Sequence, residues 1–372
     1  MSEKEILRSQ VLSQLVEGRI GQIEAARRLS VSVRQVKRLK RSYVRDGVAG
    51  LVSKKRGKAS NRRIACEVLS QACALIGAYY ADFGPTLAAE KLREKHDIRL
   101  SVETVRQQMI GAGYWKPKCK RGVRVHTMRQ RRARRGELIQ IDGSPHDWFE
   151  GRAAACCLLV FIDDATGELM ELAFVHAETT LGYMGVLKRY VQRHGLPAAI
   201  YSDRHSIFRI NAKEAPDEAQ TQFGRALSEL GIEGIQARTP QAKGRVERAN
   251  QTLQDRLVKA MRLAGIGDMA AANAWLPAFM ADFNRRFAVE PAVREDAHVA
   301  YQGKAERLDG ILSVQETRTL SKSLSCQVEG ELLQVRTQGQ GLALRGAKVT
   351  VHHHTDGRME LRWRQRNLVF ER

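Results

Sequence analysis

The sequence predicts a multidomain chain: all-helical units at the N-terminus, a central α/β mixed sheet, and a small β-barrel at the C-terminus. Three observations lead there. Apolar residues recur at helical spacing up to about residue 113, whereas strand-like and helical segments alternate from 136 to 267. From about residue 308 the pattern becomes short alternating strands broken by turn residues. Charge is split the same way. Residues 1–136 carry 32 Lys+Arg against 11 Asp+Glu, a difference of +21, while the other 236 residues carry 30 of each. A basic front joined to a neutral rear fits a polyanion-binding module attached to something else.

Seven segments follow: a helix-turn-helix at 1–50, a basic linker at 51–64, a second helix-turn-helix at 65–113 and a basic connector at 114–135. The α/β domain covers 136–267, a helical extension 268–307 and the barrel 308–372. No run of 18 apolar residues exists and the N-terminus lacks a signal peptide's apolar stretch, so a cytoplasmic, non-membrane protein is expected. The six cysteines form no CxxC pair, which argues against a zinc knuckle or a disulfide framework.

In the first unit, helices are expected at about 4–16, 22–29 and 33–45. The first turns Ile6, Leu7, Val11, Leu12 and Leu15 inward. Ser32, with Gln35 three residues on, has a capping-box spacing. The third helix buries Val33, Val36 and Leu39 and presents Arg34, Lys37, Arg38 and Arg41, as a major-groove reader needs; a small basic bundle with a solvated face is the bland alternative. The linker adds Lys54, Lys55, Arg56 and Arg62. "YYADFGPTLAAEKLREKHDIRLSVETVRQQMIGAG" repeats the architecture: Pro85 opens a helix, Ser101 caps the next, and Arg106 is a candidate contact, with scaffolding as the alternative. From Tyr114 to Arg135 the connector holds 3 Lys and 7 Arg and no acid, including Arg121, Arg131 and Arg132. It is expected to track phosphates with steep salt dependence.

Beyond Gly136, "ELIQIDGS", "CCLLVFIDDATG", "ELMELAFV" and "AAIYSD" read as strands. Helices are expected at "TTLGYMGVLKRYVQRHG", stopped by Gly195, and at "DEAQTQFGRALSELG", before a short strand "IEGIQA". Asp142 is expected to close the first strand and Asp203 the fourth, and ligands gather beyond the carboxyl ends of such strands. Glu247 sits in the first turn of "KGRVERANQTLQDRLVKAMRLAG". Three acids brought together repel unless a cation binds, and hard oxygen ligands without Cys or His favour Mg²⁺ or Mn²⁺. Two such ions suit in-line phosphoryl displacement. Asp163 and Asp164 compete for metal duty, although Asp164 also starts a D-A-T-G turn. His146 and His205 are equally readable as structural.

The segments "LIQIDGSPHDWFEGR", "CLLVFIDDATGEL", "YSDRHSIFR" and "TPQAKGRVERANQTLQDRLVKAMRLAGI" resemble bacterial insertion-sequence transposases of the DDE, retroviral-integrase-like superfamily. The resemblance is strongest to the group filed as "not classified yet" and more distant to phage Mu transposase. It implies a ribonuclease H-like catalytic domain with catalytic, metal-binding Asp142, Asp203 and Glu247, and two Mg²⁺ that Mn²⁺ can replace. The partners it implies are double-stranded DNA, as element terminal repeats and target, and other copies of the chain in a dimer or larger synaptic complex. One departure stands out: 43 residues separate the second and third acids, and "RINAKEAPDEAQ" reads as a surface insertion. Lys243 and Arg245 are expected to contact phosphates, and Asn250 to orient substrate or a metal-bound water. Trp148 is expected to pack over the active edge.

In the rear, Trp275, Phe279 and Phe283 mark an amphipathic helix packed beside the catalytic domain. Thr355-Asp356-Gly357 signals a hairpin turn, and His352–His354 are expected on the surface. The competing classes are a non-catalytic DNA-binding regulator with the same fold and a nuclease without strand transfer.

Overall fold

The chain was studied as a computed structural model, which describes residues 2–53, 57, 63–117, 130–203, 205–208, 220–236, 244–339, 341–364 and 366–372. Lys54, Lys55, Arg56, Arg62, Arg121, Lys243 and nearly all of the expected insertion lie outside these residues. The chain divides into two compact units, Met1–Lys118 and Cys119–Arg372.

The first unit is helical. Helices α1 (Glu3–Val16), α2 (Gln22–Leu29) and α3 (Val33–Asp46) close around Val11, Leu12, Leu15, Ala25, Ala26, Val36 and Leu51. Ser32 Oγ accepts from the Gln35 N–H at 3.2 Å, satisfying one orphan donor of the helix start. The inward positions expected for Ile6 and Leu7 are corrected: both are nearly half exposed, and Glu5 is buried instead. Its carboxylate accepts the Ser2 N–H at 2.8 Å and the Ser53 N–H at 3.1 Å, tying the two ends of this bundle together. Helices α4 (Cys66–Tyr79), α5 (Pro85–His96) and α6 (Val102–Gly111) pack around Phe83, Leu92, Val105 and Met109. Ser101 caps α6 through the Thr104 N–H at 3.1 Å.

The second unit is built on a five-stranded sheet in the order β3-β2-β1-β4-β5. Strand β2 (Cys156–Asp163) pairs antiparallel with both β1 (Ile139–His146) and β3 (Leu169–Val175). After α7 (Thr180–His194), β4 (Ala199–Ser202) pairs parallel to β1; after α8 (Gln222–Leu230), β5 (Glu233–Gln236) pairs parallel to β4. Gly195 ends α7 with φ +91°, and a Cβ there would stand 2.7 Å from the Val299 carbonyl, so glycine is required.

Both faces of the sheet are covered, so β2 is buried throughout. On one face Ile139, Ile141, Leu159 and Phe161 pack with Tyr183, Leu187 and Tyr190 of α7 and Phe223 of α8. On the other, Leu158, Val160 and Ile162 meet helices α9 (Gly244–Leu263) and α10 (Met269–Phe287) through Val246, Leu253, Leu257 and Leu276. Trp148 is fully buried on that side and donates from Nε1 to the Ser144 carbonyl at 2.9 Å.

Helix α10 also shields β3, an edge of the sheet. Asn273 accepts from the Phe174 N–H at 2.8 Å and donates to its carbonyl at 3.0 Å; Asn284 does the same with Leu169 at 2.8 and 2.9 Å. Eleven helical residues and five strand residues both span about 16 Å, so two side-chain amides stand where a further strand would pair.

Helix α11 (Ala305–Ile311) leads into a six-stranded, nearly closed barrel in the order β6-β9-β10-β11-β8-β7. Its strands are β6 (Val314–Thr319), β7 (Ser325–Val328), β8 (Glu331–Arg336), β9 (Lys348–His353), β10 (Met359–Trp363) and β11 (Arg366–Glu371). Gln222 of α8 and Gln315 of β6 exchange two hydrogen bonds, and Arg225 donates to the carbonyls of Ile311 and Ser313, anchoring the barrel to the sheet domain. The expectation of surface histidines is also corrected. His352 and His354 are buried on the face of β9 opposite Val349 and Val351, which fill the barrel core, and their rings stack 6.1 Å apart. The His352 ring lies 2.9 Å from Ser313 Oγ, and burial lowers its pKa to about 4.

Candidate active site

Strand β1 has one apolar and one polar face. Ile139 and Ile141 point into the α7 side, whereas Gln140, Asp142 and Ser144 point toward α9. Asp142 therefore stands in mid-strand and not at the strand's end, which corrects the sequence expectation. Each polar residue meets one turn of the helix. Gln140 Oε1 accepts from the Val246 N–H at 3.3 Å, Asn250 Nδ2 donates to Asp142 Oδ2 at 2.8 Å, and Gln254 Nε2 donates to Ser144 Oγ at 3.1 Å. Two residues of strand and four of helix advance about equally, roughly 6 Å, so strand and helix stay in step.

Parallel pairing sets Gln140 beside Tyr201. Asp142 and Asp203 each lie two residues beyond that pair, Asp142 within β1 and Asp203 just past the end of β4. Asp203 directly follows β4 and accepts the His205 N–H on Oδ1 at 2.9 Å, a turn-capping bond. Asp142 and Asp203 are each half-buried. Glu247 lies in the first turn of α9, exposed, one residue past Val246 and one turn before Asn250. Asn250 is buried, and its Oδ1 accepts no hydrogen bond from the described residues. Among the described residues no group of three or more His, Cys, Asp or Glu is gathered as a metal cluster.

The neighbouring acids behave differently. Asp163 and Asp164 are fully buried. Asp163 accepts the N–H of Gly136 at 2.8 Å and both the N–H and hydroxyl of Thr166 at 2.8 Å; burial pushes its carboxyl pKa up while these bonds oppose the rise. Asp164 accepts Gln140 Nε2 at 2.6 Å, the Arg132 N–H at 2.8 Å, and Arg245 Nη1. Both carboxylates are committed to internal donors, and Arg245, expected at DNA phosphates, has its guanidinium on Asp164. Pattern alone missed this ion pair, since 81 residues separate its members.

Arg34, Lys37, Arg38 and Arg41 lie exposed along α3. Arg106 instead pairs with Glu103 on its own helix, Arg131 donates to the Ala165 carbonyl at 3.0 Å, and Arg132 lies 3.5 Å from Glu137. His146 packs edge-on against Trp148, 5.3 Å between centroids.

The antiparallel-then-parallel order of the sheet, with helices on both faces, defines a ribonuclease H-like arrangement. No protein-family model matches the chain. It is 45% identical over 371 residues to the candidate transposase y4bF of Sinorhizobium fredii (strain NBRC 101917 / NGR234), covering 100% of this chain and 81% of that protein. It is 30% identical over 316 residues to the transposase for insertion sequence IS1202 of Streptococcus pneumoniae, covering 74% of this chain and 67% of that protein. The chain belongs to the insertion-sequence transposases. Solved structures that align include a chain of the simian T-cell lymphotropic virus intasome with PP2A regulatory subunit B56 gamma (TM-score 0.35, 13% identity, 80% of this chain and 99% of that one). The HTLV-2 integrase catalytic core with magnesium aligns at TM-score 0.30 and 18% identity, over 39% of this chain and 88% of that one. Likeness at those scores carries no weight here. Among the described residues no helix is long and apolar enough to cross a membrane.

Proposed function

We propose that the chain is a transposase that binds the terminal repeats of its own insertion sequence, cleaves the ends and joins the freed 3′-hydroxyls to target DNA. What supports this reading is that Asp142 and Asp203 each follow by two residues the Gln140–Tyr201 pair of adjacent parallel strands, and that Asn250, one turn beyond Glu247 on α9, bonds to Asp142. The donor chemistry fits a hard divalent cation, since all three offer carboxylate oxygens. The orphaned Asn250 Oδ1 beside Asp142 adds an acceptor suited to a bound water. Asp142, Asp203 and Glu247 would hold two Mg²⁺, or Mn²⁺ in their place, and these ions would supply Lewis acidity and charge neutralisation.

The protein's own residues do the rest. Asn250 fixes one oxygen of Asp142 and so restricts the carboxylate's rotation. The exposed basic face of α3 enters the major groove, while linker and connector cations hold the backbone. Joining requires two element ends together, so the working form is a dimer or larger assembly. The expected setting is the bacterial cytoplasm, at the nucleoid when DNA is bound.

A strand-cleavage and joining assay on terminal-repeat DNA with Mg²⁺ tests the reading, with Asp142→Ala and Asp203→Ala as controls. Nicked and joined products from wild type alone support it. DNA binding without cleavage under several divalent ions supports a regulator instead, and nicks without joined product support a plain nuclease.

A further inference from the structure

The first turn of α9 is held by a buried polar cluster that the catalytic reading does not use. Gln140 lies between two partners: its Nε2 donates to Asp164 at 2.6 Å and its Oε1 accepts the Val246 N–H at 3.3 Å. That N–H is one of the helix's initial donors, which have no partner within the helix. Arg245, the residue before Val246, ion-pairs with the same Asp164 carboxylate. Asp164 is anchored in turn, donating its own N–H to the Leu138 carbonyl at 2.9 Å and accepting the Arg132 N–H. Gln140 and Asp164 are fully buried, and Arg245 is mostly so. Consecutive residues 245 and 246 are thus fixed to strand β1 and the β2–β3 turn, and Glu247 comes next.

A helix rotates about 100° per residue, so fixing two adjacent residues fixes the direction of the third. Side chains placing a metal-binding carboxylate commonly govern metal affinity without touching the metal. We propose that Asp164, Gln140 and Arg245 form a clamp that sets the rotation of α9 and thereby aims Glu247 toward Asp142 and Asp203. The three are positioning residues, and the proposal rests on the metal-dependent reading above. It gives Arg245 a different task from the phosphate contact suggested by its place in "KGRVER". Breaking the ion pair leaves the helix packed through Val246, Leu253 and Leu257 but frees its first turn to turn and fray.

The test uses the full chain as wild type, Asp164→Asn, Arg245→Ala, the double variant and Asp142→Asn. The primary readout is the rise in thermal unfolding midpoint with added Mg²⁺; the second is affinity for a terminal-repeat duplex at several salt concentrations without metal. The clamp predicts that each single variant raises the half-maximal Mg²⁺ concentration roughly tenfold. The double should raise it no further than the larger single, because both substitutions break one interaction. Duplex affinity and its salt slope should match wild type. If Asp164→Asn does not fold, Arg245→Ala still decides, since Asp164 keeps the Gln140 and Arg132 donors there. Weaker, less salt-sensitive DNA binding by Arg245→Ala with an unchanged Mg²⁺ response overturns the clamp and returns Arg245 to the phosphates. Additive effects in the double also overturn it. A wild type indifferent to Mg²⁺, and indistinguishable from Asp142→Asn, defeats the metal-dependent reading along with it.

Discussion

Asp163 and Asp164, in the β2–β3 turn, are fully buried, and all four of their oxygens accept hydrogen bonds from within the chain. Asp142, in mid-strand on β1, and Asp203, just past the end of β4, are only half-buried. The four acids share a residue type and a sheet. A carboxylate whose acceptors are all taken by its own chain has become part of the scaffold, since displacing any donor strands a buried group. One that stays partly solvated keeps capacity for an outside cation. Under the proposed function, the difference separates acids that hold the fold from acids open to a cation, and it predicts opposite consequences of removing them.

The largest expected effect is on activity. Asp142→Asn should lower strand cleavage by roughly a thousandfold or more while leaving the unfolding midpoint near wild type. The comparison breaks if the variant cuts normally or fails to fold. Asp163→Ala should do the reverse. Donors from Gly136 and Thr166 lose their partner, and denaturant unfolding should show a loss of about 3–5 kcal/mol.

His352 extends the scaffold class into the barrel. Its folded pKa of about 4 lies below the ordinary value near 6.5, so above pH 6.5 neither state is protonated and the residue has no pH effect. As pH falls from about 6.5 to 4, only the unfolded chain gains the proton, and up to about 3 kcal/mol of stability is lost. Unfolding measured across that window should show the slope, and His352→Asn should remove it. The smallest effect belongs to the edge of β3: Asn284→Ala strands the Leu169 N–H and carbonyl and should cost about 1–2 kcal/mol in denaturant unfolding, with cleavage unchanged.

What the sequence revealed of this sorting depended on range. Helix α3 runs Val33–Asp46 behind the Ser32 cap, close to expectation, because caps and 3.6-residue periodicity act over a few neighbours. The strands, the Gly195 stop and the rear barrel were legible for the same reason. Asp142 was identified as a candidate but set at a strand end, since Gly143 and Ser144 look like turn residues while in fact they pair with Leu159 and Leu158. Asp164 left two readings open, because the partner that decides between them, Arg245, arrives on another helix. Asn273 and Asn284 were invisible as edge caps: their partners are backbone groups about a hundred residues away, and backbone leaves no mark in composition. Alternation showed that His352, His353 and His354 cannot share one face, but not that the face of His352 and His354 is covered, because Ser313, which meets the His352 ring, lies 39 residues away.

The central claim is that Asp142, Asp203 and Glu247 share divalent cations. Anomalous scattering from crystals of the full chain soaked in Mn²⁺ tests it most directly. The expected result is a Mn²⁺ peak about 2.1–2.2 Å from carboxylate oxygens of both Asp142 and Asp203, with Glu247 turned toward the same ion. Mn²⁺ bound elsewhere in the chain and absent from these two carboxylates, or Glu247 directed away from them, would contradict the account.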